Sequence, residues 1–484
     1  MMIHSLTLSD VLSEHARSRP GVTAVVDGDV RLTYPELDER VSRLAGALDA
    51  RGVTAGERVL WLGQNSHAVL ELLLACSRLG AVFCPANWRQ SADELRFVVE
   101  DLTPRVVVHE ASVTPLEPSW LLFEQLEGSA REFPQVADTE PVLALYTAAF
   151  DGRPNAALLS SAALVAHSAS LLVVRQMEPG FTFLNNGPLF HVGTMMFCLA
   201  TLQIGGTNVF TPSFDAEEVC RLVDAEKVTQ AFLFGQMIDA VAAANAGGKY
   251  DLSSLRFVSH SAEWDAMITV DDSPWCRSKM GGYGQTEVGG MLTFLGLAPG
   301  AAGYAGRPSP LVQVRILAPS GEEVAPGEVG EICARGKTLF SGYFARPDLN
   351  AQKFAYGWHH TGDLGRREPD GTITFVGPKL RMIKSGAENV YPAEVERALK
   401  SHPAVADAAV IGVPDPTWHQ AVKAIVVTSA EVNPEELIAH VQEQIASYKK
   451  PREIAFADAI PKRGFTPDYD ALDAEFGGGN YPGQ

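Results

Sequence analysis

From Arg58 onward, short apolar runs alternate with helical stretches, and this alternation constrains the fold more than any other feature of the chain. VLWLG (59–63), AVFCPAN (81–87) and VVVHE (106–110) read as buried strands, separated by helical stretches over 66–78 and 92–102. A second alternating stretch runs from Leu158 to about Phe294, with strands at FTFLNN, TNVFT, AFLF and RFVSH. Such alternation predicts parallel, doubly wound α/β sheets. From Gly303 the text changes to Gly/Pro-punctuated hairpins (VQVRILAPSGEEVAPGEVGEICARG), which predict a small β subdomain up to about Val376. A composition break at 377–381 precedes a compact α+β unit over 382–475, and the Gly-rich FGGGNYPGQ (476–484) reads as a disordered tail.

Length and charge narrow the function classes. A chain of 484 residues exceeds what one compact core usually holds, so several domains are expected. With 39 basic and 58 acidic residues the formal charge is −19, which argues against nucleic acid as a partner. The six cysteines are scattered without a CxxC pair and read as reduced thiols. No apolar run reaches membrane-spanning length and the N-terminus lacks a signal-like apolar region, so a cytoplasmic protein without membrane association is expected.

The segment Tyr146–Ala157, YTAAFDGRPNAA, is read as a strand–loop–helix junction, a setting suited to a phosphate-cradling loop. Such a loop uses glycines, hydroxyls and a lysine around the anion. Here the hydroxyl and glycine positions hold Ala148, Ala149, Phe150 and Asp151, and Asn155 stands where the lysine is expected. An aromatic ring and a carboxylate occupy places meant for a polyanion.

Eight separated motifs resemble, in order and spacing, those of the adenylate-forming superfamily, which includes acyl-CoA ligases. They are LTYPELDERVSRLAGAL (32–48), GAVFCPANWRQSADELRFVVED (80–101), PLFHVG (188–193), YGQTE (283–287), GEVGEICARG (327–336), TGDLG (361–365), SGAENVYPAEVE (385–396) and VIGVPDPTWHQAV (410–422). The resemblance implies a large N-terminal acyl/adenylate domain (1–376), a hinge (377–381) and a mobile C-terminal domain. It also implies two half-reactions: ATP and an acid give acyl-AMP, then a thiol, usually of CoA, displaces AMP.

By the same resemblance, Tyr283 stacks on adenine, Asp363 holds the ribose hydroxyls, and Gly284, Gln285 and Thr286 form the turn at the acyl phosphate. Glu287 matches the magnesium ligand, although no metal is expected here. Ser261 and Ala262 fall on the adenine-side loop. His191 gates the acyl pocket against the thiol tunnel, Ser385, Gly386 and Ala387 line that tunnel, and Tyr448, Lys450 and Arg452 meet CoA. Lys449, Lys450 and Arg452 form a local basic cluster, and Lys379 flanks the hinge position Leu380. Gly281, Gly282, Gly289 and Gly290 would leave room for a bulky acyl group, or serve turns.

The family's ATP-handling residues fare worse than its thiol-handling ones. Besides the phosphate loop, the family's Gly-Arg before the hinge reads Gly377-Pro378, and its C-terminal lysine falls on Thr466 or Pro467. Loss of one oriented charge-stabilising group costs about 10²–10³ in rate, and three are missing from one step. The pattern is similar to a thioesterification-only branch of the family, found in bacterial diterpenoid (platensimycin-type) biosynthesis. The expectation is acyl-AMP plus CoA to acyl-CoA plus AMP, on a bulky acid of secondary metabolism. ATP and magnesium are not used productively, and a separate adenylating ligase supplies the adenylate. The alternatives are a complete ATP-dependent ligase with substitute contacts and a non-catalytic adenylate-binding protein.

Overall fold

The structure, a computed structural model, describes residues 3–147, 154–303, 305–379, 381–386, 388–463 and 466–482. Ala148, Ala149, Phe150, Asp151, Leu380 and Ala387 therefore lie outside the described residues.

The alternating pattern builds two largely parallel sheets in the large N-terminal domain. In the seven-stranded sheet, Arg58–Leu62 lies between Val82–Pro85 and Val106–His109, both parallel to it. The helix His67–Leu79 returns the chain over this sheet, and nearly all its side chains are buried because it is apolar all round. The helix Ala92–Leu102 starts where the spacing predicts: Glu94 N–H donates to Ser91 Oγ, and Ser91 N–H donates to the Glu94 carboxylate. The second sheet orders Gln230–Ala231, Thr182–Asn185, Thr207–Phe210, Thr23–Asp27 and Val30–Thr33. An N-terminal strand thus pairs with one about 180 residues later, a partner that local periodicity does not reveal.

The hairpin-rich region forms a four-stranded antiparallel sheet, Val312–Leu317, Val329–Gly336, His359–Arg367 and Ile373–Pro378. The small C-terminal α+β domain is built on the long antiparallel pair Val405–Asp415 and His419–Thr428, with Ile383–Ser385, Glu388–Val390 and Glu453–Phe456 in the same sheet. The helices Pro392–Lys400 and Pro434–Gln444 contribute to its core. Among the described residues, no helix is long and apolar enough to cross a membrane.

Two expectations fail. The segment after the phosphate loop is no helix: Asn155–Ser160 is a strand, antiparallel to Pro141–Thr147 with Tyr146 opposite Ala156, and the helix begins only at Ser161. The small side chains of Ala156 and Ala157 serve sheet packing, and no helix N-terminus follows the loop directly. The tail also docks. Tyr481 is buried, its hydroxyl accepts from Gly412 N–H at 2.8 Å and donates to Asp473 at 3.0 Å, and Gly479 N–H donates to Gly412 O. Arg381, the last residue of the expected hinge, lies 3.9 Å above the Tyr481 ring and pairs with Asp473.

Candidate active site

A cavity of about 580 Å³ opens where the two domains meet, lined by residues of the motifs at 80–101, 188–193, 283–287, 361–365, 385–396 and 410–422. At one end a hydrogen-bonded chain links His359, Gln285, Tyr283 and Asp363. Burial pushes His359 down to about 3, so the ring is neutral, and its Nε2 lies 3.0 Å from Gln285 Oε1. Gln285 Nε2 is thereby aimed at the Tyr283 hydroxyl, 2.9 Å away, and that hydroxyl donates to Asp363 Oδ2 at 2.5 Å. The Tyr283 ring stacks on Phe375 at 5.5 Å. Burial raises Asp363 to about 6, against the Tyr283 hydrogen bond. Tyr283, Gly284, Gln285, Thr286, Glu287 and Asp363 all line the cavity. Glu287 is buried, and its carboxylate accepts from Tyr343 OH at 2.6 Å.

The positions lacking the family's cations are equally well defined. Pro378 lines the cavity directly opposite Asp363 in the antiparallel ladder, so the place of the expected guanidinium holds an uncharged ring. Asn155 is buried, and its Oδ1 accepts from Arg346, whose guanidinium is paired with Asp101. Asp101 in turn accepts from Tyr146 OH at 2.8 Å. Arg346 is thus committed to a carboxylate. Lys462 pairs with Asp407, and neither Lys462 nor Pro467 lines the cavity.

At the other end, the small domain delivers Lys384, Glu388, Asn389, Tyr391, Tyr448 and Lys449 to the cavity wall. Glu388 bonds His191 Nε2 at 3.2 Å and accepts from Arg89 at 2.5 Å, which ties the two domains together. Burial pushes this carboxyl upward, but His191 and Arg89 outweigh it and hold it down at about 2. Arg89 also lies over the rings of Phe190 and Tyr448, 5.2 and 5.3 Å away. Lys384 is depressed by burial and donates to Asn389 Oδ1. Among the described lining residues are the lysines Lys353, Lys384 and Lys449 and the carboxylates Glu287, Asp363 and Glu388, three of each sign.

Several of the expected site residues lie away from the cavity or are engaged elsewhere. Ser261 and Ala262 do not line the cavity; Ser261 Oγ accepts from Trp264 N–H as the cap of a short helix, and Ala262 is that helix's first residue. Lys449 offers no surface charge, because it is buried between Glu94 of the large domain and Glu394 of its own, at 2.8 and 2.7 Å. Lys450 bonds Gln442. Arg452 lies 5.1 Å over Trp418, and Gly386, at φ +61°, sits against the same ring, where a Cβ would come within 3.0 Å. Ser385 and Gly386 line neither this cavity nor the neighbouring one described below. Lys379 bonds Glu331 at 3.0 Å and anchors the hinge to the β subdomain. The glycines do not open an acyl pocket: a Cβ at Gly282 or Gly284 would strike backbone of the paired strand, and one at Gly290 would strike His167 and Met196. Sequence reasoning missed Lys384, Glu388, Arg89 and Trp418. Glu388, Arg89 and Trp418 stand inside quoted motifs and Lys384 just before one, but nothing local says that a motif at 89 meets one at 388.

The model of the AMP-binding enzyme family matches residues 12–344, and that of its C-terminal domain matches 394–464. This chain belongs to the AMP-binding enzyme family. Curated relatives of this AMP-binding enzyme include a feruloyl-CoA synthase of Amycolatopsis sp, 38% identical over 93% of this chain and 94% of that one. An indoleacetate–CoA ligase of Aromatoleum aromaticum is 32% identical, over 94% and 95%. Among solved structures, a double mutant of o-succinylbenzoate CoA synthetase from Bacillus subtilis, bound with its product analogue OSB-NCoA, aligns with a TM-score of 0.81 at 26% identity, over 94% and 95%. The same enzyme in complex with AMP aligns at only 0.66, with the same coverage.

Proposed function

We propose that this protein is an acyl-CoA ligase that performs only the second half-reaction, transferring the acyl group of a preformed acyl-adenylate to the thiol of CoA. One observation carries the reading. The cavity joins a hydrogen-bonded network, Tyr283–Asp363–Gln285, suited to adenosine to an interdomain wall suited to a thiol, while Asn155, Pro378 and Pro467 bring no cation to the phosphates. Triphosphate carries about four negative charges, and its transfer depends on positioning and charge stabilisation. A lining with balanced charge suits the single negative charge of an acyl-adenylate better. Acyl-AMP is already activated, so a thiol needs access, orientation and a proton acceptor.

The substrate on this reading is a bulky carboxylic acid of secondary metabolism, adenylated by a separate cytoplasmic ligase. The relatives' names, feruloyl, indoleacetate and o-succinylbenzoate, support an acyl group of that bulk. Those names, a CoA synthase and a CoA ligase, also favour a second reading, a complete ATP-dependent ligase.

A paired assay separates the two. Feruloyl-AMP plus CoA should give feruloyl-CoA and AMP, while ferulate, ATP and magnesium should release no pyrophosphate. Pyrophosphate release at a rate matching acyl-CoA formation would establish the complete ligase.

A further inference from the structure

A second cavity, of about 400 Å³, lies beside the first, and its wall includes Trp88, Phe214, Phe232, Phe234 and Met237. Two residues line both cavities, His191 and Glu388. They stand where the two cavities adjoin, and they belong to different domains. From these juxtapositions we infer that His191 accepts the thiol proton during thioester formation and that Glu388, steadied by Arg89, is the positioning residue that orients it.

The geometry assigns the nitrogens. Glu388 Oε2 lies 3.2 Å from His191 Nε2, so that nitrogen carries hydrogen toward the carboxylate and Nδ1 is left to take a proton. Glu388 stays ionised because His191 and Arg89 outweigh the effect of its burial, so the pairing holds across the working pH range. The other charged or titratable groups facing Glu388 are Arg89, Lys384 and Tyr448. Tyr448 is raised beyond any role at neutral pH, chiefly by burial.

The step balances without a co-reactant. The S–H proton passes to His191 Nδ1 as sulfur attacks the acyl carbon and forms the C–S bond. The tetrahedral intermediate then breaks its C–O bond to phosphate, and AMP leaves as a phosphate anion needing no proton. The imidazolium, held against Glu388, returns its proton to solvent. A thiol with pKa near 8.5 is only about 3% ionised at pH 7, so a positioned acceptor has roughly 30-fold to offer by ionisation alone.

This inference rests on the thioester-forming half of the proposed function, not on the loss of adenylation. Its test uses the full-length protein, feruloyl-, indoleacetyl- and o-succinylbenzoyl-AMP as donors, and CoA, at pH 7.0 and 9.5. His191→Asn should lower kcat/KM for CoA roughly 30-fold at pH 7.0, and the deficit should shrink to about threefold or less at pH 9.5, where the thiol ionises unaided. Glu388→Gln, which keeps one acceptor oxygen and turns an amide NH2 toward either Arg89 or His191, should show a smaller loss of about tenfold with the same recovery. Deficits equal at both pH values, or no deficit, would overturn the proton role and leave His191 as a gate. If wild-type protein turns over none of the three donors, the thioesterification reading itself fails, and this inference with it.

Discussion

The Tyr283 hydroxyl donates a 2.5 Å hydrogen bond to Asp363 Oδ2, across 80 residues of sequence, and both residues line the interdomain cavity. A ribose diol reaching Asp363 must share this carboxylate with Tyr283, and the exchange favours the ionised acid. Asp363→Asn is therefore expected to weaken AMP binding roughly 10–100-fold, the value of a hydrogen bond to a charged group, as isothermal titration at pH 7.5 would show. Wild-type affinity should also decline as pH falls through about 6, where Asp363 takes up a proton.

The same carboxylate has a stability consequence of opposite sense. Its pKa is raised from 3.8 to about 6, chiefly by burial, so the unliganded fold is favoured by protonation. That favourable term is fully present below about 4 and lost as pH rises through 6. Asp363→Asn should thus melt higher than wild type at pH 7.5, by about 2 kcal/mol, and converge with it near pH 4. Denaturant titrations at both pH values check this, and a variant less stable at pH 7.5 would refute it.

Lys449 is the other buried charge that joins the domains, reaching Glu94 across the interface and Glu394 within its own domain. Lys449→Met leaves two carboxylates facing each other without a cation, a loss of about 3–5 kcal/mol for a buried network. The small domain should then leave the docked arrangement, detectable as an increase in radius of gyration by small-angle scattering. Adding Glu94→Gln should recover part of both effects.

Burial of Tyr481 ties the C-terminal tail to the first residue described after the hinge position, Arg381. Tyr481→Phe removes the acceptor of Gly412 N–H and should cost about 1–3 kcal/mol. Truncation after Phe476 also removes the ring beneath Arg381 and the Gln420–Gly479 bond, so a larger loss is expected. Thermal melts of the two variants would rank them, and a truncation melting like wild type would show that the tail is dispensable.

What could be read in advance divides by the range of the interaction. The helix Ala92–Leu102 was legible to the residue, because its Ser91–Glu94 cap and its amphipathic spacing are local. The fate of Lys449 was not, because its partner Glu94 lies 355 residues away, and a run of cations reads as surface charge until that partner is known. Asn155 looked like loop for a similar reason: the strand it begins exists through its antiparallel partner, and small residues carry little β signal alone. The tail's glycines suggested disorder, whereas one tyrosine with a partner 69 residues back is enough to hold it. Tyr283, Gln285, Thr286, Asp363 and His191 share one cavity, as their motifs together suggested, whereas Ser261 and Ser385 stand outside it. The meeting of the first five with Glu388 and Lys384 depends on how the domains dock, which no single motif encodes.

If the missing cations explain an inability to use ATP, replacing them should restore part of that half-reaction. Pro378→Arg would place a guanidinium opposite Asp363 at the cavity wall, and Pro467→Lys or Thr466→Lys would restore the C-terminal amine. Glycine and threonine substitutions at 148–151 would restore loop donors, while Asn155→Lys is a poorer choice because it buries a second cation against Arg346. Each recovered group is worth about 10²–10³ in rate, so single variants should remain inactive while combinations become measurable. Pyrophosphate release from ATP and ferulate is the readout, with the feruloyl-AMP plus CoA reaction as the control that the site still functions. A combined variant that retains the control reaction yet releases no pyrophosphate would show that charge is not what excludes ATP, and would point to the shape of the cavity around Pro154 and Thr147 instead.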